Sequence, residues 1–293
     1  MKFAPALLAL LPLSVVLPVH ADENPRNQIS AGWLRVQTNE KSDEMTTTSN
    51  GTTTTSPGTS SELNNANTMG LTYTRFITDN WSAQFVGGVP PEFELSGKGH
   101  TPFGNLESFD KLASVRQWSP TLLGIYTFGN PSQALRPYVG IGISYTKFDN
   151  IELDKGFESA MINTGNQAIT AGAYAKGTGG RSLQSDAANG VFTPGSPNFN
   201  MGLANAYSQS AAYAAANPAS VDVKADSSVD PVATIGLDYR ISERWYAQGS
   251  VSYLPLSTTA TITLKSSAGT LATSKAAMDI NPIVTYLGVG YRF

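Results

Sequence analysis

Arg136-Pro-Tyr-Val-Gly-Ile-Gly-Ile-Ser-Tyr-Thr-Lys-Phe148 decides how the rest of the chain is read. Val139, Ile141, Ile143 and Tyr145 fall on one face, and Gly140, Gly142, Ser144 and Thr146 on the other. A period of two is the signature of a β-strand. The small residues on the second face predict a tightly curved wall around a narrow interior.

The same alternation recurs on both sides of this stretch. Ala233, Ile235, Leu237 and Tyr239 alternate with Thr234, Gly236, Asp238 and Arg240, and Met69, Leu71 and Tyr73 alternate with Gly70, Thr72 and Thr74. Eight strands are predicted, at about 28–38, 68–77, 81–93, 112–128, 137–153, 229–241, 245–264 and 279–293. Each is long enough to cross a bilayer as a tilted strand, which takes about 9–11 residues. Short connections (78–80, 129–135, 242–244) alternate with long ones (39–67, 94–111, 154–228, 265–278). That asymmetry predicts an all-β fold, an eight-stranded antiparallel transmembrane β-barrel with short periplasmic turns and long outer loops. Aromatic residues recur beside all three short turns: Tyr73, Phe76 and Trp81, then Tyr126, Phe128 and Tyr138, then Tyr239, Trp245 and Tyr246. They predict a girdle at the membrane boundary.

The amino-terminal residues fit an exported protein. Lys2, the uncharged apolar run Leu7 to Val19 and Val19-His20-Ala21 form the pattern of a signal peptide spanning 1–21, which leaves 22–293 as the barrel. Cysteine is absent, so no disulfide framework and no thiol chemistry is expected. Nineteen basic residues less Lys2, against twenty-two acidic ones, leave a charge of about −4 and no reason to expect nucleic-acid binding. Thr46 to Ser61 is a Thr/Ser/Gly tract expected to be mobile and coreless. The insertion at about 154–228 is rich in Ala, Gly, Asn and Ser and reads as a solvated cap, with a helix expected over Met201 to Ala216.

No enzyme chemistry is marked. With His20 in the signal peptide, His100 is the remaining histidine, in a loop-like stretch with no nucleophile-elbow motif elsewhere. No histidine pair or carboxylate cluster has metal-ligand spacing, and the acidic run Glu40 to Glu44 reads as a solvated loop face. No catalytic residue, metal or cofactor is therefore assigned.

Four stretches carry a family resemblance: Ile77-Thr-Asp-Asn80, Ser119-Pro-Thr-Leu-Leu123 running to Tyr126-Thr-Phe-Gly129, Arg136-Pro-Tyr-Val-Gly to Tyr145, and Asn281-Pro-Ile through Gly290-Tyr-Arg-Phe293. In these the chain resembles the OmpW family of eight-stranded outer-membrane proteins. The resemblance implies a narrow barrel with a mostly apolar internal channel and passive uptake of small hydrophobic compounds. The long third outer loop departs from the family pattern. Tyr291 and the terminal Phe293 resemble the signal read by the barrel-assembly machinery, which makes that machinery an expected partner beside outer-membrane lipid and small hydrophobic solutes.

By strand parity Val86, Pro90, Leu122, Phe148, Leu254 and Val284 are candidate channel-lining residues, joined by Phe93 at the upper end of the third strand. Pro90, Pro91 and Pro120 interrupt the third and fourth strands. Proline donates no ladder hydrogen bond, and unpaired backbone is costly in lipid unless it lines a cavity. A weakened lateral seam, through which an apolar solute leaves sideways, is therefore expected there. Arg35, Asp238 and Arg240 are candidates for a polar plug on the periplasmic half. Two functions stay open: an outer-membrane channel for hydrophobic solutes, and a structural or surface-recognition barrel without transport.

Overall fold

A computed structural model describes residues 25–293 with the exception of 268; the expected signal peptide lies outside the described residues. Eight strands make the wall: Asn27–Gln37, Ala66–Phe76, Trp81–Gly88, Thr121–Thr127, Leu135–Leu153, Ser228–Arg240, Trp245–Tyr253 and Ile283–Arg292, numbered one to eight below. Each pairs antiparallel with its neighbour in sequence. The first also pairs with the eighth from Gln28↔Arg292 to Gln37↔Ile283, which closes the ring. Closure satisfies the backbone from within, the condition for a sheet to stand in hydrocarbon.

The alternation sorts residues onto two faces as a membrane requires. Ile141 is 75 % exposed and Ile235 63 %, and both face outward with Trp33, Leu71, Phe85 and Leu287. Polar side chains fill the inside: Gln28, Ser30, Thr72, Gln84, Thr234 and Gln248 are all buried. The glycines of the inner face make room for rings. A Cβ on Gly236 would stand 2.2 Å from the Tyr138 ring, so a larger residue there would displace the tyrosine from the lumen. Of the expected girdle, Tyr73, Trp81, Phe128, Tyr239 and Trp245 do face outward, whereas Phe76, Tyr138 and Tyr246 are buried inside.

Four expected strands are broken rather than continuous. The third leaves the wall at Gly88 and resumes as Glu92–Lys98, the fourth is split into Ala113–Trp118 and Thr121–Thr127, and the seventh and eighth pause at 254–256 and 280–282. A proline sits in every pause (Pro90, Pro91, Pro120, Pro255, Pro282), where the missing N–H ends the ladder. Gly88 has φ +148°, and its missing Cβ would lie 2.3 Å from the Met69 carbonyl oxygen, so only glycine fits where the third strand departs.

Above the wall the outer segments build two further sheets. Ala113–Trp118 pairs with the upper part of the long fifth strand, then with Glu92–Lys98, which pairs with Ser60–Leu63. A six-stranded sheet runs Ser220–Ala225, Ser257–Ser266, Gly269–Asp279, Thr46–Ser49, Thr52–Thr55, with Lys41–Ser42 beside Gly269–Asp279. The threonine tract is thus a hairpin, contrary to the mobile loop expected of it. β-branched threonine suits a strand once an edge is offered, and Ala272 to Lys275 offers one to Thr46–Ser49. The expected loop 265–278 is mostly strand for the same reason. The insertion contains three helices, α1 (Lys155–Gly177), α2 (Leu183–Ala188) and α3 (Met201–Ala216). The third has the expected bounds. The first was hidden by glycine, asparagine and threonine, poor helix formers that tertiary packing of Phe157, Met161, Ile169 and Tyr174 overrides.

Candidate functional site

The lumen is divided by chemistry along its axis. At the periplasmic end a polar network closes it. Arg136 Nη2 donates to the carbonyls of Asp79 (2.7 Å) and Gly129 (3.1 Å), and its Nε to that of Phe128 (3.2 Å). Asp238 stands directly across the ladder from Arg136. Arg292 donates through Nε and Nη2 to Gln28 Oε1 at 3.2 and 2.8 Å. Its guanidinium also lies 3.8 Å from the Tyr246 ring centre and 4.3 Å from that of Phe76, a cation–π sandwich. One layer higher, Ser30 Oγ meets Thr72 Oγ1 (2.7 Å), Tyr286 OH (2.8 Å) and Gln248 Oε1 (3.0 Å), and Gln248 Nε2 donates to Tyr138 OH (3.2 Å). These bonds tie the floor together, while Gln28 Nε2 and Asp238 Oδ1 stay buried in it without a hydrogen-bond partner among the described residues.

Above the floor the lining turns apolar, and the wall opens. Third and fourth strands pair from Trp81↔Tyr126 to Val86↔Thr121. Pairing resumes only at Glu92↔Arg116. Between them a single backbone bond, Gln117 N–H to the Pro91 carbonyl (3.0 Å), crosses the gap. A space of about 540 Å³ occupies this breach, lined by the inward-facing Val36, Leu123 and Leu254 and equally by the outward-facing Met69, Phe85 and Trp118. Lining from both faces means that the space passes through the wall.

A second, smaller apolar space of about 80 Å³ lies beyond the wall, between the two outer sheets and under the start of α1. Leu63, Val115, Phe148, Met278, Ile280 and the helix residue Phe157 line it. One contiguous apolar cluster joins the two spaces. Along the third strand's extension, Pro91 borders the breach, Leu95 the outer cavity, and Phe93 stands between them. Leu256 stands likewise between Leu254 and Thr258. Phe93 is 2 % exposed and Leu256 is fully buried, and both belong to that cluster. At the outer rim Glu40 Oε1 accepts the Leu63 N–H at 2.6 Å. Burial raises that carboxyl above the ordinary value of 4.5.

Most residues singled out in the sequence fall in this region. Val86, Pro90, Leu254 and Val284 line the breach and Phe148 the outer cavity, with Phe93 between. Pro90, Pro91 and Pro120 border the breach. Leu122 requires a correction. It pairs with Ile143 and Phe85, both outward-facing, and is itself 54 % exposed; Leu123 is the lumen residue. Two adjacent leucines satisfy either parity, so the local pattern could not choose. Arg35 also requires correction. Strand one starts at the periplasmic end, which puts residue 35 in its outer half, and its parity is that of the outward-facing Trp33. Asp238 and Arg240 are at the periplasmic end, where Arg240 donates to the carbonyls of Pro131 (3.2 Å) and Ser132. Arg136 and Arg292 were missed, although Arg136 shares the parity of Gly140 and Ser144, which marks it as inward. His100 is exposed on a two-residue ladder, and among the described residues no group of three His, Cys, Asp or Glu side chains could hold a metal ion. Tyr291 and Trp245 meet edge to face at 5.2 Å beside the exposed terminal Phe293.

Comparison with known proteins agrees with this architecture. The model of the OmpW family matches residues 26–167 and 196–293. Outer membrane protein W of Vibrio cholerae is 27 % identical over 288 residues, covering 98 % of this chain and 97 % of the relative. Outer membrane protein W of Escherichia coli is 24 % identical over 243 residues, 83 % of this chain and 80 % of the relative. Among solved structures, OprG from Pseudomonas aeruginosa superposes with a TM-score of 0.62 at 20 % identity, over 92 % of this chain and 96 % of that one, a likeness of fold. With a family model matched over most of its length, an inverted barrel surface and a closed eight-stranded ring, the chain belongs to the OmpW family and is a β-barrel of the bacterial outer membrane.

Proposed function

We propose that the barrel passes small hydrophobic molecules inward without energy input, taking them from the outer cavity past Phe93 and Leu256 and releasing them sideways through the breach into the membrane. The observation that carries this reading is the apolar space that crosses the wall where the ladder is interrupted, directly above a polar floor. An apolar solute gains by partitioning into such a space and loses by crossing buried arginines and amides. The sideways exit is therefore downhill and the periplasmic exit is not. In this reading Pro90, Pro91 and Pro120 keep the exit open by denying it ladder donors. The assembly machinery reads Tyr291 and Phe293, and the solute is the only ligand that the lumen needs.

The test is uptake of a labelled alkane or aromatic hydrocarbon by cells with and without the protein, compared with Val86→Thr. That substitution keeps the shape of the side chain and adds one hydroxyl to the breach lining. A fall in uptake of roughly two- to tenfold is expected from partially unsatisfied hydroxyl burial of about 0.5–1.5 kcal/mol, at the low end of measured costs. Uptake equal to that of cells lacking the barrel would refute the reading and leave the surface-recognition role.

A further inference from the structure

The inserted helices contain a groove that the solute path does not use. It lies between α1 and α3, bordered by α2 at Leu183 and Gln184, and has a volume of about 550 Å³. Asn163, Asn166, Gln167 and Thr170 enter it from α1, Gln184 from α2 and Tyr207 from α3. The α1 residues are spaced three and four apart, so they share one helix face. Alanines of α1 and α3 (Ala171, Ala211, Ala214) supply small apolar surface in the same lining. No charged side chain is among the lining residues. The family match omits residues 168–195, so Thr170, Ala171 and Gln184 stand in a segment that the shared barrel design does not account for.

The groove is built rigidly. Asp186 of α2 accepts Tyr174 OH at 2.7 Å and Arg181 Nε at 2.8 Å, with Arg181 Nη2 at 2.5 Å from the other oxygen, which clamps α2 to α1. Asn166 Oδ1 accepts the Ala219 N–H at 2.8 Å, which fixes the amide and leaves its NH₂ as the group to donate. The Tyr207 ring is stacked on Phe192, centres 5.1 Å apart and planes within 16°, while the residue remains 40 % exposed.

This chemistry selects a ligand class. An uncharged lining neither attracts nor neutralises an ion, and four amides make a poor site for hydrocarbon. The amides of Asn163, Gln167 and Gln184 can each donate and accept, as does each hydroxyl of a sugar, and that of Asn166 can donate. An exposed, preoriented tyrosine ring and small apolar patches suit the C–H faces of a pyranose. We infer that the groove between α1 and α3 is a binding site for a neutral oligosaccharide chain at the cell surface.

The test uses the whole protein in lipid nanodiscs, because detergents with sugar headgroups would compete. Maltohexaose and chitotetraose are the probes, read by saturation-transfer NMR and titration calorimetry. At least one of them is expected to bind, with saturation transferred from the aromatic protons to the sugar ring. Gln167→Ala and Tyr207→Ala should each weaken it about tenfold, equivalent to about 1.4 kcal/mol. Ser208→Ala, on α3 but outside the lining, and Tyr207→Phe, which keeps the ring, should leave binding within twofold of wild type. Alkane uptake by all four variants should match wild type, which separates this site from the solute path. No binding of either sugar, affinity unchanged in Gln167→Ala and Tyr207→Ala, or tighter binding of an uncharged polar peptide would overturn the inference.

Discussion

Phe93→Ala tests the junction between the two apolar spaces most directly. Phe93 is 2 % exposed within the apolar cluster that runs between the 80 Å³ outer cavity and the 540 Å³ breach. In the closed arrangement a solute passes only when this ring leaves its rotamer, a displacement costing about 0.5–1.5 kcal/mol. If that displacement limits transit, removing the ring raises uptake by roughly two- to tenfold, since 1.4 kcal/mol is one decade in rate. The same truncation removes packing worth about 3–5 kcal/mol, so Phe93→Leu, which retains most of the volume, serves as the folding control and should change uptake by less than half as much. The assay is initial uptake of a labelled alkane at matched levels of folded protein in the outer membrane, with thermal unfolding measured in parallel. A Phe93→Ala protein that folds, shows the expected loss of stability and yet transports at the wild-type rate would place the limiting step elsewhere and refute the reasoning.

Other outcomes follow from the remaining layers. Arg136→Ala takes from the carbonyls of Phe128 and Asp79 their side-chain donor, while that of Gly129 keeps Asn80 Nδ2 at 3.0 Å; stability should fall by about 1.5–3 kcal/mol, the worth of a charge-assisted hydrogen bond, and ion conductance in planar bilayers should rise as water enters the floor. In the helical cap, hydrogen bonds from Arg181 and then Tyr174 hold the Asp186 carboxyl below its ordinary value of 3.8. A depressed folded value means that this stabilisation is present above the unfolded value and is lost as pH falls through the folded one. NMR signals of the Tyr174 ring should therefore stay native at pH 3.8 and collapse only in stronger acid, whereas Arg181→Ala should shift the collapse upward. Trp81 and Trp245, both exposed beside short turns, should be quenched by lipids brominated near the headgroup more strongly than by lipids brominated at the chain ends.

How much of this could be read in advance depended on whether the signal was local. The wall was legible at Val139 to Tyr145 because lipid on one side and a packed lumen on the other impose a period of two on every strand. The breach was partly legible, since Pro90, Pro91 and Pro120 remove donors wherever they stand. Leu122 was misassigned and Arg35 misplaced because facing and height are properties of the register between strands. The Leu122↔Phe85 pairing and the periplasmic start of strand one decide them. The threonine hairpin and α1 were misread because each depends on a partner distant in sequence: Ala272 to Lys275 for Thr46–Ser49, and Ala219 and Leu264 for the apolar face of α1.

By itself, the sequence determined an eight-stranded barrel with alternating short and long connections, its outward belt and its proline interruptions, because membrane solvation acts on each residue separately. The tertiary structure alone decided that the seam at Pro90, Pro91 and Pro120 opens onto an apolar space lined from both faces of the wall, that Phe93 and Leu256 are buried in the apolar cluster beside it, and that Arg136 and Arg292 belong to the floor. Each of these is a meeting of strands, fixed by register and by which polar groups find partners when the ring closes.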